Sequence, residues 1–291
     1  MIKKMFLAIL AISVFASSCS NDDDNNAPNL ASINLDLAGL EALGDDYVYE
    51  GWIIVDGSPV STGTFTSVTF PQSFTVDATQ LAAATKFVLS IEPTNDPDPA
   101  PADTKILAGD FSGNSANVNS SAIVADFSAA SGKYILATPT DDDMDNEESG
   151  VWFIDNSGGD PVAGLDLPEL SAGWKYEGWV VFDGTPVTTG TFTDVNMADD
   201  NASTSPYKGA ERDGPGYPGE DYVMGTAAGV DFPTDLKERT IVISVEPSPD
   251  NSPAPFTLKP LAHMVPDNAE NHMAISMGTG PVVGLSGTVT R

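Results

Sequence analysis

The sequence is poor in cysteine and in basic side chains, and both shortages limit what the protein can do. Cys19 is the only cysteine among 291 residues, so the chain can form no internal disulfide and no thiolate cluster for a metal. Only 12 Lys and Arg residues stand against 42 Asp and Glu residues, which gives a formal net charge of −30. Such a charge repels phosphate, so nucleic acid is excluded as an expected partner.

The N-terminal stretch has the pattern of a secretory signal. Lys3 and Lys4 precede a short apolar run from Phe6 to Phe15, and small residues then lead to Cys19. A membrane-spanning helix needs about 20 apolar residues, so this run fits a signal peptide instead. Small residues before a cysteine resemble a bacterial lipobox, which predicts removal of residues 1–18 and lipidation of Cys19. An ordinary signal followed by an incidental cysteine is the alternative.

An acidic tether begins at the predicted lipidation site and occupies residues 19–29. Its segment SNDDDNN resembles the acidic tract of Bacteroidota lipoproteins that are exported to the outer face of the outer membrane. This pattern predicts a protein anchored by lipid in the outer membrane and exposed on the cell surface. A plain solvated spacer is the alternative.

One segment of eighteen residues occurs twice in the chain. YEGWIIVDGSPVSTGTFT at 49–66 and YEGWVVFDGTPVTTGTFT at 176–193 are identical at 13 positions. FVLSIEPTNDPDPAP at 87–101 and IVISVEPSPDNSPAP at 241–255 form a second matching pair. The larger offset of that second pair places a 27-residue insertion in the second copy. We therefore expect two tandem domains, at 30–158 and 159–291.

Each copy has the pattern of an all-β domain. The run YEGWIIV alternates between two faces, with Tyr49 on one and Trp52 on the other. Asp56-Gly57 follows and recurs in the second copy, and this pair is the strongest short signal for a β-hairpin. Many short strands separated by glycine and proline are typical of a sandwich or barrel. We expect two tandem immunoglobulin-like β-sandwich domains, with Trp52 and Trp179 as core aromatics rather than sugar-stacking platforms.

These motifs resemble the extracytoplasmic C-terminal domain of anti-sigma-K factors. That pattern has Tyr-x-x-Trp at a hairpin and Gly-x-Phe on the return arm. A later strand runs into Glu-Pro, a proline-rich loop and Leu-Ala-Gly. The first copy matches at Tyr49, Trp52, Gly63, Phe65, Ile91-Glu92-Pro93 and Leu107-Ala108-Gly109. The second copy matches at Tyr176, Trp179, Gly190, Phe192, Val245-Glu246-Pro247 and Leu261-Ala262.

The resemblance implies the fold and a sensory or interaction role outside the cytoplasm. An anti-sigma factor of this type also needs a cytoplasmic domain and a transmembrane helix, and the sequence shows neither pattern. We therefore expect a non-enzymatic envelope protein that binds an unidentified protein or glycan. A glycan-processing hydrolase and a calcium-binding structural surface module are the alternatives.

Glu92 and Glu246 occupy equivalent positions, each at a strand end beside a proline. Two carboxylates can perform acid–base catalysis or bind a cation. Each copy has only one such residue, however, so the pattern favours a glutamate that caps a turn or accepts hydrogen bonds from loop amides.

Four acidic residues alternate as the ligands of a calcium loop do: Asp141, Asp143, Asp145 and Glu147. An EF-hand loop has glycine at its sixth position and glutamate at its twelfth, and neither condition is met here. A looser calcium site and a solvated acidic loop both stay open. No other cofactor is expected.

The insertion in the second copy carries three tyrosines, Tyr207, Tyr217 and Tyr222, on what the sequence predicts to be a long loop. Long loops are often functional or disordered, so these residues are candidates for contact with a partner, and a disordered loop is the alternative. The insertion also contains GPGYPG at 214–219, which matches G-x-G-x-x-G. A dinucleotide site needs a strand before and a helix after this motif, and the local sequence predicts neither.

Overall fold

The computed structural model describes residues 29–250, 252–281 and 284–291. The predicted signal peptide, the lipidation of Cys19 and nearly all of the tether lie outside the described residues. Within them the chain is all-β, as predicted, with one short α-helix and one 3-10 turn. No helix in these ranges is long and apolar enough to cross a membrane.

The helix α1 spans Ala78–Ala83, and the 3-10 turn spans Glu147–Ser149. The strands in chain order are β1 Leu30–Ala38, β2 Tyr47–Val55, β3 Ser58–Phe65, β4 Gln72–Asp77, β5 Lys86–Pro93, β6 Lys105–Ser112, β7 Ser115–Asn119, β8 Ser131–Leu136, β9 Gly150–Trp152, β10 Ile154–Asp155, β11 Val162–Ala163, β12 Leu165–Asp166, β13 Trp174–Phe182, β14 Thr185–Phe192, β15 Gly219–Asp221, β16 Thr226–Ala227, β17 Val230–Asp231, β18 Thr240–Pro247, β19 Leu261–Met264, β20 Ile275–Ser276, β21 Gly278–Thr279 and β22 Ser286–Thr290.

The predicted hairpins form in both copies. Asp56 and Gly57 have φ values of 50° and 79°, and Asp183 and Gly184 have φ values of 50° and 89°. Positive φ at both central residues is what a type I′ turn requires. These turns join β2 to β3 and β13 to β14, and both hairpins have an irregular register at the glycine that precedes the tryptophan.

The first sheet is a continuous antiparallel ladder with the order β3-β2-β5-β6-β7-β22-β1-β4. The strands at its two ends, β3 and β4, lie close to each other, so the ladder curls around its apolar face. That face contains Tyr49, Ile53 and Phe87, all fully buried. Trp52 points to the other face, where it packs with Val88 in a separate small cluster. The predicted alternation along β2 is therefore confirmed.

The strands of the second half form two five-stranded sheets instead of one ladder. One of them, β14-β13-β18-β19-β21, has the same order as β3-β2-β5-β6-β7, and the other contains β12-β8-β9-β15, with β20 also paired to β8. Strands β12 and β9 pair with the other edge of β8, and β15 pairs with β9. Strand β8 is thus central in its sheet, as β22 is central in the eight-stranded ladder.

The two sequence copies exchange strands. Strand β22 lies between β7 and β1 of the first sheet, although it comes from the second copy. Strands β8 and β9 come from the first copy and pair with β12, β15 and β20 of the second. Leu37 pairs with Gly287, and Leu165 pairs with Gly132, so the same leucine–glycine pair marks both joints.

This exchange affects two expectations from the sequence. The predicted boundary at residue 158 between the two sequence copies stays a prediction. Strands pair across this boundary, so the sheets do not coincide with the two copies. The finer immunoglobulin-like arrangement also stays a prediction. An immunoglobulin-like sandwich has two separate sheets, whereas the first sheet here is one continuous ladder.

Helix α1 reinforces the position of β22. The Asp77 carboxylate caps the helix by accepting from the Thr79 amide at 2.8 Å. At the other end, the guanidinium of Arg291 donates to the carbonyls of Leu81 and Ala84 at 2.6 and 2.7 Å. Because Arg291 directly follows β22, these bonds fix that strand to the first sheet.

We predict that Val289→Ala lowers the free energy of unfolding by about 2 kcal/mol, because Val289 is fully buried in the core and truncation leaves a cavity. Hydrogen exchange should accelerate in β1 and β7, the neighbours of β22. The exposed Thr290 provides a control on the same strand, and Thr290→Ala should change stability by less than about 0.5 kcal/mol. Faster exchange confined to β19 and β21 would contradict this pairing.

Candidate functional site

A chain of three side chains recurs in the two copies, on the face opposite the main core. In the first copy the indole Nε1 of Trp52 donates to Ser90 Oγ at 2.8 Å, and the Ser90 hydroxyl donates to Glu92. The second copy repeats this chain with Trp179, Ser244 and Glu246, again with 2.8 Å between the indole and the hydroxyl. The two tryptophans are therefore in equivalent environments, and each is 3% exposed.

The glutamate of each chain holds the proline-rich loop that follows its strand. Glu92 accepts from the Ala102 amide at 2.9 and 3.1 Å, one distance to each carboxylate oxygen. Glu246 accepts from the Phe256 amide at 2.8 Å. The favoured interpretation of Glu92 and Glu246, acceptors for loop amides, is confirmed by these contacts.

Glu246 in the second copy has fewer hydrogen bonds to its carboxylate oxygens than Glu92 has in the first. Glu246 Oε2 is buried and has no hydrogen-bond partner, whereas both oxygens of Glu92 accept bonds. Burial raises the pKa of Glu246 to about 8, and nearby Glu177 and Asp250 add to the shift. Burial also raises the pKa of Glu92, although hydrogen bonds from Ser90 and Ala102 oppose it.

A groove of about 390 Å³ opens over this face in the second copy. Glu177 and Trp179 from β13 line this groove, and Tyr207 from the insertion lines it as well. The proline-rich loop contributes Pro253. In the first copy the corresponding Trp52 cluster is packed against Ile123. The insertion thus contributes a wall to a groove beside one of two otherwise equivalent tryptophans.

The structure separates the three tyrosines expected to contact a partner. Tyr207 lines the groove, and its ring packs edge-to-face on Phe232 with 5.4 Å between centroids. Tyr217 is half-buried and donates to the Pro161 carbonyl at 3.2 Å. Tyr222 is fully buried and donates to the Thr188 carbonyl at 3.0 Å. Tyr222 is a core residue because the insertion folds back onto β14, so no partner can reach it in this structure.

Three of the four carboxylates in the candidate calcium loop accept hydrogen bonds from the loop itself or from its neighbours. Asp143 accepts from the Asp145 amide at 2.9 Å, Asp141 from the Asn146 side chain at 2.8 Å, and Glu147 from the Thr138 amide at 2.9 Å. Glu147 also lies 3.1 Å from Nε2 of His272. Within the described ranges, no three or more His, Cys, Asp or Glu side chains converge to hold a metal. Calcium binding at this loop stays a prediction.

The glycine motif at 214–219 forms a packing surface. A Cβ on Gly214 would lie 2.3 Å from the Trp152 ring, and a Cβ on Gly219 would lie 2.7 Å from it. The indole of Trp152 donates to Asp221 at 2.6 Å. Strand β15 follows the motif instead of a helix, so the motif lacks the structural context of a dinucleotide site.

Five buried carboxyls in the second copy have raised pKa values. Among them, only Glu246 is a candidate site residue from the sequence. Burial is the largest cause for each, and it raises the pKa to about 6 for Asp199 and Asp221, about 7 for Glu177, and about 8 for Glu220 and Glu246. A usable signal was present, since Glu220 and Asp221 directly precede a Tyr-Val pair that is apolar enough to be buried.

Comparison with known proteins agrees with the resemblance seen in the sequence. Residues 26–106 match the family described as anti-sigma-K factor rskA, C-terminal, and this match covers just over a quarter of the chain. Neither the curated proteins nor the solved structures contain a significant match. The resemblance is confirmed for the first copy. For the second copy it rests on the shared residues and strand order.

We predict that the free energy of unfolding falls as the pH rises from about 4.5 to 8. The raised pKa values mean that the folded protein keeps protons over this range that the unfolded chain releases. Glu246→Gln removes one such carboxyl and should make the free energy of unfolding depend less steeply on pH. It should raise the melting temperature at pH 8 but not at pH 4.5.

The exposed Glu211 controls for the reduced net charge, because Glu211→Gln removes the same charge from the surface. Thermal melts of the parent chain and both variants at several pH values make the comparison. Identical behaviour of the two variants would contradict the assignment to a buried carboxyl.

Proposed function

We propose that this protein is a non-catalytic component of the cell envelope that binds a partner protein outside the cytoplasm. The match of residues 26–106 to the anti-sigma-K factor C-terminal family supports a regulatory role exerted through protein binding. Such families are generally non-catalytic. The groove beside Trp179 also supports partner binding. It is lined by a hairpin that both copies share and by an insertion that is found in the second copy.

We propose further that a lipid on Cys19 anchors the protein in the outer membrane, with its folded part exposed on the cell surface. The apolar run, the small residues before Cys19 and the acidic tract after it support this location. Acyl chains contribute about 0.8 kcal/mol per buried methylene group, so more than one chain holds a protein stably.

A glycan-processing hydrolase is the competing function, and one observation favours it. Glu177 lines the groove, and burial raises its pKa to about 7, which suits a general acid at neutral pH. Glycoside hydrolysis normally requires a second free carboxylate across the scissile bond. The nearby Glu246 is instead bonded to Ser244 and to the Phe256 amide, so binding is the better supported function.

The test is to fill the groove without removing any packed side chain. Ala228 is exposed at the groove, and Ala228→Arg should reduce recovery of a cross-linked partner from intact cells at least tenfold. Ala210 is exposed elsewhere on the insertion, and Ala210→Arg should leave recovery unchanged. Recovery that is equal for both variants would contradict the assignment of the groove. Turnover of a glycan that is lost in Glu177→Gln would favour the hydrolase.

A further inference from the structure

Glu177 is a buried carboxylate that has no cationic partner among the described residues. It is 6% exposed, and none of the ion pairs in the described part of the chain includes it. Its polar contact is the Thr188 side chain, and Asp250 adds further negative charge nearby. A carboxylate removed from water is stabilised most by a positive charge brought against it.

Aromatic rings lie in the same groove as this carboxylate. Trp179 is two residues further along β13 and therefore on the same face of the strand, and Tyr207 lines the groove from the insertion. The faces of tryptophan and tyrosine attract ammonium and guanidinium groups. A carboxylate beside two aromatic rings suits an organic cation on an apolar stem.

We propose that the groove binds a lysine or arginine side chain in an extended segment of the partner protein. The charged end would meet Glu177, the methylene stem would lie against Trp179 and Tyr207, and the adjoining backbone would run over Pro186 and Pro253. This inference rests on the proposed function and specifies the chemistry of its partner. The net charge of −30 steers basic segments toward the protein before contact.

Other ligand classes fit this groove less well. A phosphate would meet the Glu177 charge and the acidic surface around it. A divalent metal ion prefers six or more oxygen ligands, whereas the groove offers one carboxylate among largely apolar neighbours. A neutral apolar segment would leave the buried carboxylate without compensation.

The first copy supplies a matched control. Glu50 is the sequence equivalent of Glu177 and accepts from the Ser61 hydroxyl, but it is more exposed. The neighbouring Trp52 is packed against Ile123. Loss of charge at Glu50 therefore removes the same formal charge from an equivalent strand position without changing the groove.

The experiment is calorimetric titration of the folded protein with N-acetylated tri-lysine amide at pH 8 and low salt. Glu177→Gln should weaken binding about tenfold or more, the scale expected for loss of a charged hydrogen bond. Glu50→Gln should weaken it less than twofold. Binding to the parent chain should weaken at pH 6, where Glu177 is protonated, and Glu177→Gln should remove most of that pH dependence.

A second variant keeps the inference testable if Glu177→Gln fails to fold. Ala228→Arg places a guanidinium at the groove and should abolish tri-lysine binding, while Ala210→Arg should not. Equal losses for Glu177→Gln and Glu50→Gln would overturn the inference, since general attraction to an acidic surface would then explain binding. Spermidine that binds as tightly as the peptide would overturn the assignment to a protein segment.

Failure of this inference and failure of the proposed function give different results. If tri-lysine does not bind but Ala228→Arg still abolishes partner cross-linking, the partner uses the groove without a basic side chain, and only the inference falls. If tri-lysine binds at Glu177 but no partner is recovered from intact cells, the proposed function falls.

Discussion

The exchange of strands between the two sequence copies is the constraint on which the rest of the structure depends. Strand β22 of the second copy is central in the eight-stranded ladder, and β8 of the first copy is central in the sheet that contains β12, β9 and β15. A central strand pairs along both of its edges, so its removal would leave two neighbouring strands without partners. With a division at residue 158, neither of these two sheets is built from one copy alone.

Within this shared frame, the two copies differ in what covers the outer face of the hairpin. The chain from tryptophan through serine to glutamate is the same in both copies and holds the proline-rich loop. The first copy packs Ile123 against its tryptophan, whereas the second leaves a groove beside Trp179 and Glu177. The insertion adds Tyr207 to that groove and buries Tyr222 beneath it. Function is therefore expected where the copies diverge.

Local features of the fold were predictable because their causes are local. The Asp-Gly pairs fix their own turns, and the alternation around Trp52 follows from the two-residue period of a strand. The exchange was not predictable, because SGTVT and SGKYIL indicate strands without specifying which sheet accepts them. Burial of Tyr222 depends on how the insertion folds back onto β14, and the apolar Tyr-Val pair alone does not specify that path. The groove at Glu177 requires both the hairpin and the insertion, so no single motif predicts it.

The most direct test of this account is to express residues 29–158 and 159–291 as separate chains. Each fragment lacks the central strand that the other supplies, so neither alone should give a cooperative thermal transition or an ordered near-ultraviolet circular dichroism spectrum. Mixed in equal amounts, the two should associate one to one and recover the spectrum of the intact chain. Cooperative unfolding of either isolated fragment at the temperature of the intact protein would contradict the exchange.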